Sequence, residues 1–157
     1  MLRVLVLILV FLGAGAVYAH YFVCPCVVVP GGPLRGAVIE APVTDWAIAN
    51  DRDQAPLCQI EVNGTVTYSL NVNCMSHEGK LYISCSLCEN KTWAAIVKER
   101  PAGRVKVAGK VYKVNFARVE DDALKDAVWR TRLQKVDAED KNAPRPDGWW
   151  TFNLTSR

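Results

Sequence analysis

Between Val4 and Val29 the sequence has no Asp, Glu, Lys or Arg. That absence excludes an ordinary solvated surface segment and leaves an apolar run long enough to cross the hydrocarbon core of a bilayer. Charge of one sign is also lacking. The 19 basic residues face 16 acidic ones for a net charge of +3, and no Lys/Arg cluster stands out, which argues against a nucleic-acid partner. Histidine is scarce, with only His20 and His77. A zinc site built on Cys85-x-x-Cys88 would need a second pair, and Cys24-Pro-Cys26 is spaced too tightly to supply a typical one. No metal ligand set is therefore assigned. There is no internal repeat and no low-complexity tract.

What is present is enough for one domain. Of 157 residues, 50% are hydrophobic and 22% charged, the balance of a folded chain with a core. Residues 1–29 read as a membrane anchor or signal segment, 30–56 as a linker and irregular lead-in, and 57–157 as the folded domain. Arg3 precedes the apolar run and the next positive side chain is Arg35. The positive-inside rule then places the domain outside the cytoplasm, on the periplasmic side if the source is bacterial. Val17-Tyr18-Ala19 also suits cleavage after Ala19. The run continues through YFVCPCVVV, which favours a retained anchor over residues 4–29. Six cysteines, Cys24, Cys26, Cys58, Cys74, Cys85 and Cys88, fit an oxidising compartment, and their pairing stays open. Cys85 and Cys88 precede a helix as a thioredoxin-type pair does, but in an antiparallel setting, so a disulfide staple is the expected role.

Alternating patterns begin at residue 57. LCQIEV and TVTYSLNVN flank Asn63-Gly64, a pair suited to a type I′ hairpin turn. SHEG joins the second strand to KLYISCS, with Leu81, Ile83 and Cys85 directed inward and Tyr82 and Ser84 outward. NKTWAAIVKER shifts to a helical period, capped by Asn90 and stopped by Pro101. A third hairpin turns at Ala108-Gly109; Val105 and Val107 followed by Val111, Val114 and Phe116 imply one irregularity. A second helix starts at Asp121-Asp122 and runs to about Val136. Residues 137–148 form a charged loop, and WWTFNLTSR closes the chain as a strand. Trp46 is expected to anchor the lead-in to the core, and His77 to sit exposed in its turn. The fold class is mainly β with two short helices, an antiparallel barrel preceded by the N-terminal hydrophobic helix.

HEGKLYISCS, NKTWAAIVKERPAGRVKV and GKVYKVNFARVED, with the closing WWTFNL, resemble the flavin-binding split-barrel superfamily. That group includes pyridoxamine-phosphate-oxidase-like and deazaflavin-dependent nitroreductase-like proteins. The resemblance covers about two-thirds of the chain. It implies a split barrel, commonly a homodimer, binding FMN or another flavin in a groove between barrels, with oxidoreductase chemistry. Carried over by position, it places phosphate contacts at Ser84, Ser86, Lys91 and Thr92, and makes Trp93 a wall of the groove. It names no catalytic residue. The nitroreductase-like branch has a basic Gly-rich stretch where this chain has EVNGTVTYSL, without Lys or Arg. A second expectation therefore stands beside the first: a cofactor-free accessory or binding subunit of a larger membrane complex.

Overall fold

The computed structural model describes residues 2–22 and 30–157. The expected N-terminal helix forms as α1, Leu2–Phe22. The last residues of the Val4–Val29 run, with Cys24 and Cys26, lie outside the described residues. Among the described residues no helix is long and apolar enough to cross a membrane. The apolar side chains from Val4 to Leu12 are all at least half exposed.

Six strands make the body of the domain: β2, Cys58–Asn63; β3, Thr67–His77; β4, Lys80–Ser86; β5, Ala102–Val107; β6, Lys110–Arg118; and β7, Trp149–Ser156. They run in the order β6-β5-β2-β3-β4-β7, and pairing of β6 with β7 closes the ring. Every pairing within the ring is antiparallel. Closure removes the exposed edges that an open sheet would present. A two-residue strand, β1, Val38–Ile39, adds in parallel to the start of β6.

Local chemistry explains two of the turns. Glu78-Gly79 have φ of 50° and 73°, and Ala108-Gly109 have 46° and 80°, the paired positive angles of a two-residue turn that matches strand twist. The same turn was expected at Asn63-Gly64 and does not form there. The connection is three residues, 64–66, and neither Asn63 nor Gly64 has positive φ. The cause is α2, Thr92–Glu99, which lies against this turn. A Cβ on Gly64 would fall 2.9 Å from Ile96 Cδ1, so glycine serves close approach here instead of turn geometry. Arg100 Nη1 also donates to the Asn63 and Gly64 carbonyls at 3.3 and 3.4 Å. The helix start differs from expectation as well. Its N-cap is Lys91, with no side-chain cap, and Asn90 ends a short 3-10 turn over Cys88–Asn90.

The third hairpin shows no irregularity. Val105 pairs with Tyr112 and Gly103 with Val114 in unbroken register, so Tyr112, Val114 and Phe116 share the inner face. Val111 is buried on the opposite face, opposite Val38 of β1. Burial on both faces broke the alternation.

Inside the barrel, Ile60, Val62, Leu81, Ile83, Phe152 and Leu154 form the core. Trp93, Ala94 and Val97 of α2 plug one end, with the Trp93 and Phe152 rings 5.2 Å apart. Helix α3, Asp122–Lys135, begins with Asp121 Oδ1 accepting from the Leu124 N–H at 2.6 Å, as a capping aspartate does. It packs Val128, Trp129 and Leu133 outside the barrel on Met75, Tyr82 and Trp149. Trp129 Nε1 donates to the Ala143 carbonyl at 2.8 Å, and Arg145 pairs with Asp126 at 2.7 Å. The 137–148 loop is thereby tied to α3.

Residues 30–36, expected as a linker, are docked on the barrel. Gly31 and Ser69 exchange two backbone bonds of 2.9 Å, and Ser69 Oγ donates to the Gly32 carbonyl at 2.5 Å. The buried Glu61 carboxylate accepts from the Leu34 N–H at 2.7 Å and pairs with Arg104. Glycines beside prolines read as breakers locally, while their partners lie far along the chain. Trp46 is buried in the core, as expected.

Candidate functional site

The barrel is split where β3 and β4 part. Their pairing runs from His77↔Lys80 to Asn73↔Ser84 and stops there. Beyond that point β3 continues alongside β2, while β4 follows β7 to Ser86↔Trp149. The divergence opens a groove of about 480 Å³, within the range of small-ligand sites. Leu70, Asn71, Val72 and Asn73 of β3 form one wall, and Ser84, Cys85 and Ser86 of β4 the other. Lys91 and Trp93, from the start of α2, close its end, with Leu57 at the lip. No carboxylate lines this groove, and Lys91 is its one charged residue.

Ser84 is the informative residue. It is 3% exposed, and its Oγ is the one buried side-chain oxygen or nitrogen without a hydrogen-bond partner among the described residues. Across the strand, Thr151 Oγ1 donates to the Ile83 carbonyl at 2.9 Å and so is satisfied within the fold. A buried hydroxyl left unpaired costs about 1–3 kcal/mol, a cost that a ligand acceptor at this place would remove. Helix α2, whose N-cap Lys91 lines the same groove, starts without a side-chain cap. Its first N–H groups and the positive end of its dipole favour an anion.

Of the residues singled out from the sequence, Ser84, Ser86, Lys91 and Trp93 come together in this groove. Thr92 does not. It lines a separate cavity of about 430 Å³ with Gly64, Tyr68 and Ile96. One helical step rotates a side chain by about 100°, so the buried Trp93 and the exposed Thr92 face different spaces. The sequence reading missed Asn71 and Asn73, the polar set of a strand whose other face is apolar. That alternation was visible, but the point at which β3 and β4 part was not.

Two disulfides form among the described residues. Cys58–Cys74 joins β2 and β3 inside the core, and Cys85–Cys88 ties the end of β4 to the 3-10 turn before α2. His77 is half-buried instead of exposed, with Nδ1 3.3 Å from Thr131 Oγ1 on α3. No group of three or more His, Cys, Asp or Glu is placed to hold a metal among the described residues.

Lys135 belongs to a different place. It is 7% exposed at the end of α3, and its Nζ donates to the Ala55 and Cys74 carbonyls at 2.6 and 2.8 Å. Burial lowers its pKa to about 8, against a smaller raising effect of the Asp51 charge. With its protons held by two carbonyls, it pins α3 to β3 and to the lead-in.

No family model matches the sequence, and no curated protein matches it. Solved structures do. A candidate pyridoxamine 5′-phosphate oxidase from Listeria innocua superposes with a TM-score of 0.54 at 13% identity, covering 69% of this chain and 88% of the other. A NimC/NimA family protein from Clostridium acetobutylicum gives 0.51 at 12% identity, covering 72% and 84%. At these identities the likeness speaks for the fold. The chain has the antiparallel split-barrel fold that these two structures share.

Proposed function

We propose that this protein binds FMN or a similar flavin in the groove between β3 and β4 and takes part in redox chemistry there, held at a membrane by residues 4–29 with its barrel outside the cytoplasm. The observation that carries the ligand reading is the unpartnered, buried Ser84 hydroxyl in a groove whose one charge is positive. Ser84 and Ser86 donate to phosphate oxygens, and Lys91 neutralises their charge as a point cation. Trp93, fixed against Phe152, gives the groove a rigid aromatic end. When bound, a flavin supplies the one- and two-electron chemistry, and the chain supplies grip, shape and exclusion of water. Exposed Leu57 and Leu87, Leu57 at the groove lip and Leu87 in the loop after β4, suit a second copy of the barrel that completes the site as a homodimer.

The membrane reading rests on the uncharged run to Val29 and on the exposed apolar side chains of α1. Water would penalise them by about 25 cal/mol per Å². Recovery of the full chain in the membrane fraction, released by detergent and not by salt, is the expected result. Release by salt would remove this part of the proposal.

A second reading, a cofactor-free accessory subunit of a membrane complex, draws on the same groove. Lys91 is its only cation, fewer than a tightly gripped phosphate commonly has. The absorbance spectrum of natively purified protein decides between them. A flavin band, weakened in Lys91→Ala, supports the first reading. Colourless protein that takes up no added FMN supports the second.

A further inference from the structure

We propose that Cys85–Cys88 is an exchangeable disulfide, a site at which the protein accepts two electrons from a dithiol partner, while Cys58–Cys74 is inert and structural. The two bridges differ in what governs exchange. Cys58 and Cys74 are 0% and 1% exposed within the barrel, so no thiolate reaches either sulfur without opening the core. Cys88 is 0% exposed as well, but Cys85 is only partly buried and lines the groove at the split, so the second bridge can be approached from the groove on the Cys85 side alone. Lys91 lines the same groove, and a nearby positive charge favours the thiolate form of a cysteine released there.

The loop between the two cysteines is short and constrained. It contains Ser86 and Leu87 alone. Leu87 is 60% exposed and holds a left-handed φ of 52°, a conformation a branched side chain adopts at a cost. Opening the bridge frees this turn to relax. The bridge also joins β4, which carries Ser84 and Ser86, to the 3-10 turn that leads directly into Lys91 and Trp93. Its redox state therefore sets how the two sides of the groove face each other.

The exchange balances without a further reagent. A thiolate of the partner dithiol attacks Cys85 Sγ, the Cys85–Cys88 bond breaks, and its electron pair leaves on Cys88 Sγ, which takes a proton. The sulfur lies 2.8 Å from the Cys85 carbonyl oxygen, an acceptor for the S–H so formed. The partner's second thiolate then displaces Cys85 from the mixed disulfide, and Cys85 takes the second proton. The partner ends as a disulfide and this chain as a dithiol, two electrons and two protons having moved.

This inference does not rest on the flavin. The test uses the full chain in detergent, titrated with dithiothreitol from micromolar to tens of millimolar. Iodoacetamide traps free thiols, and peptide mass mapping separates these four cysteines from Cys24 and Cys26. Cys85 and Cys88 are expected to become labelled at a dithiothreitol concentration at least tenfold below that needed for Cys58 and Cys74, with the circular dichroism unchanged. A Cys85→Ser/Cys88→Ser double variant should keep the barrel spectrum and lack the low-concentration event. Opening of both bridges together, or a Cys85–Cys88 bridge that stays closed until the spectrum is lost, overturns the proposal. FMN uptake measured on the same samples separates the two claims. Selective opening without uptake upholds the exchange site and removes the flavin, and uptake without selective opening does the reverse.

Discussion

Replacing Ser84 with alanine should make the protein more stable and a poorer binder at the same time. The hydroxyl is buried, with the residue 3% exposed, and has no hydrogen-bond partner among the described residues. Its removal relieves an unsatisfied group worth about 1–3 kcal/mol, against a small loss of packing where one oxygen is missing. A net gain of about 1 kcal/mol is expected, which for a domain of this size raises Tm by about 3 °C. A hydrogen bond to a charged phosphate contributes about 1.5–3 kcal/mol, so the same substitution should weaken FMN binding by about 10- to 100-fold. Thermal unfolding and an FMN fluorescence titration, run in one buffer, read both effects. Ser86→Ala is the control: its residue is exposed on the same strand, and it should leave Tm unchanged. A Ser84→Ala protein that loses 1 kcal/mol or more, or that binds FMN as the parent does, would refute the reasoning.

Three other outcomes follow from the packing. Lys135 has a folded pKa of about 8 against an ordinary lysine value of 10.5; between those values the unfolded chain binds more protons, so stability rises with pH. Screened by solvent, the gain should be about 1 kcal/mol from pH 8 to 9.5 in urea melts, flattened in Lys135→Met; above pH 10 the buried Tyr82 and the half-buried Tyr68 and Tyr112, whose pKa values desolvation raises, act in the opposite direction. Gly103→Ala should destabilise by about 2–3 kcal/mol, measured by urea denaturation, because its Cβ would press on the Glu61 carbonyl oxygen and fall 2.7 Å from the Phe116 ring. Trp93→Ala should cost about 3–5 kcal/mol by the same measurement, since its ring packs on Phe152 in the core.

The elements that were legible in the sequence are those whose causes are local. The Ala108-Gly109 turn, the helix start at Asp121-Asp122 and the closing WWTFNL strand each follow from a few neighbouring residues. What was not legible depends on partners distant in the chain. Asn63-Gly64 has the composition of a tight turn, yet α2 presses on it through Ile96. Val111 broke an alternation because β1 covers it from outside. Glu61 and Lys135 look like surface charges until Leu34, Arg104, Ala55 and Cys74 are placed around them. The site divides in the same way. Ser84, Ser86, Lys91 and Trp93 followed from the resemblance and share one groove, whereas Asn71 and Asn73 enter only through where β3 and β4 separate.

A crystal structure of the full chain grown with FMN tests the central claim most directly. The account predicts phosphate oxygens within hydrogen-bonding distance of Ser84 Oγ and close to Lys91 Nζ, in the groove where β3 and β4 part. A flavin bound elsewhere, or a groove in which Ser84 finds a protein partner while FMN at saturating concentration leaves it unchanged, would contradict it.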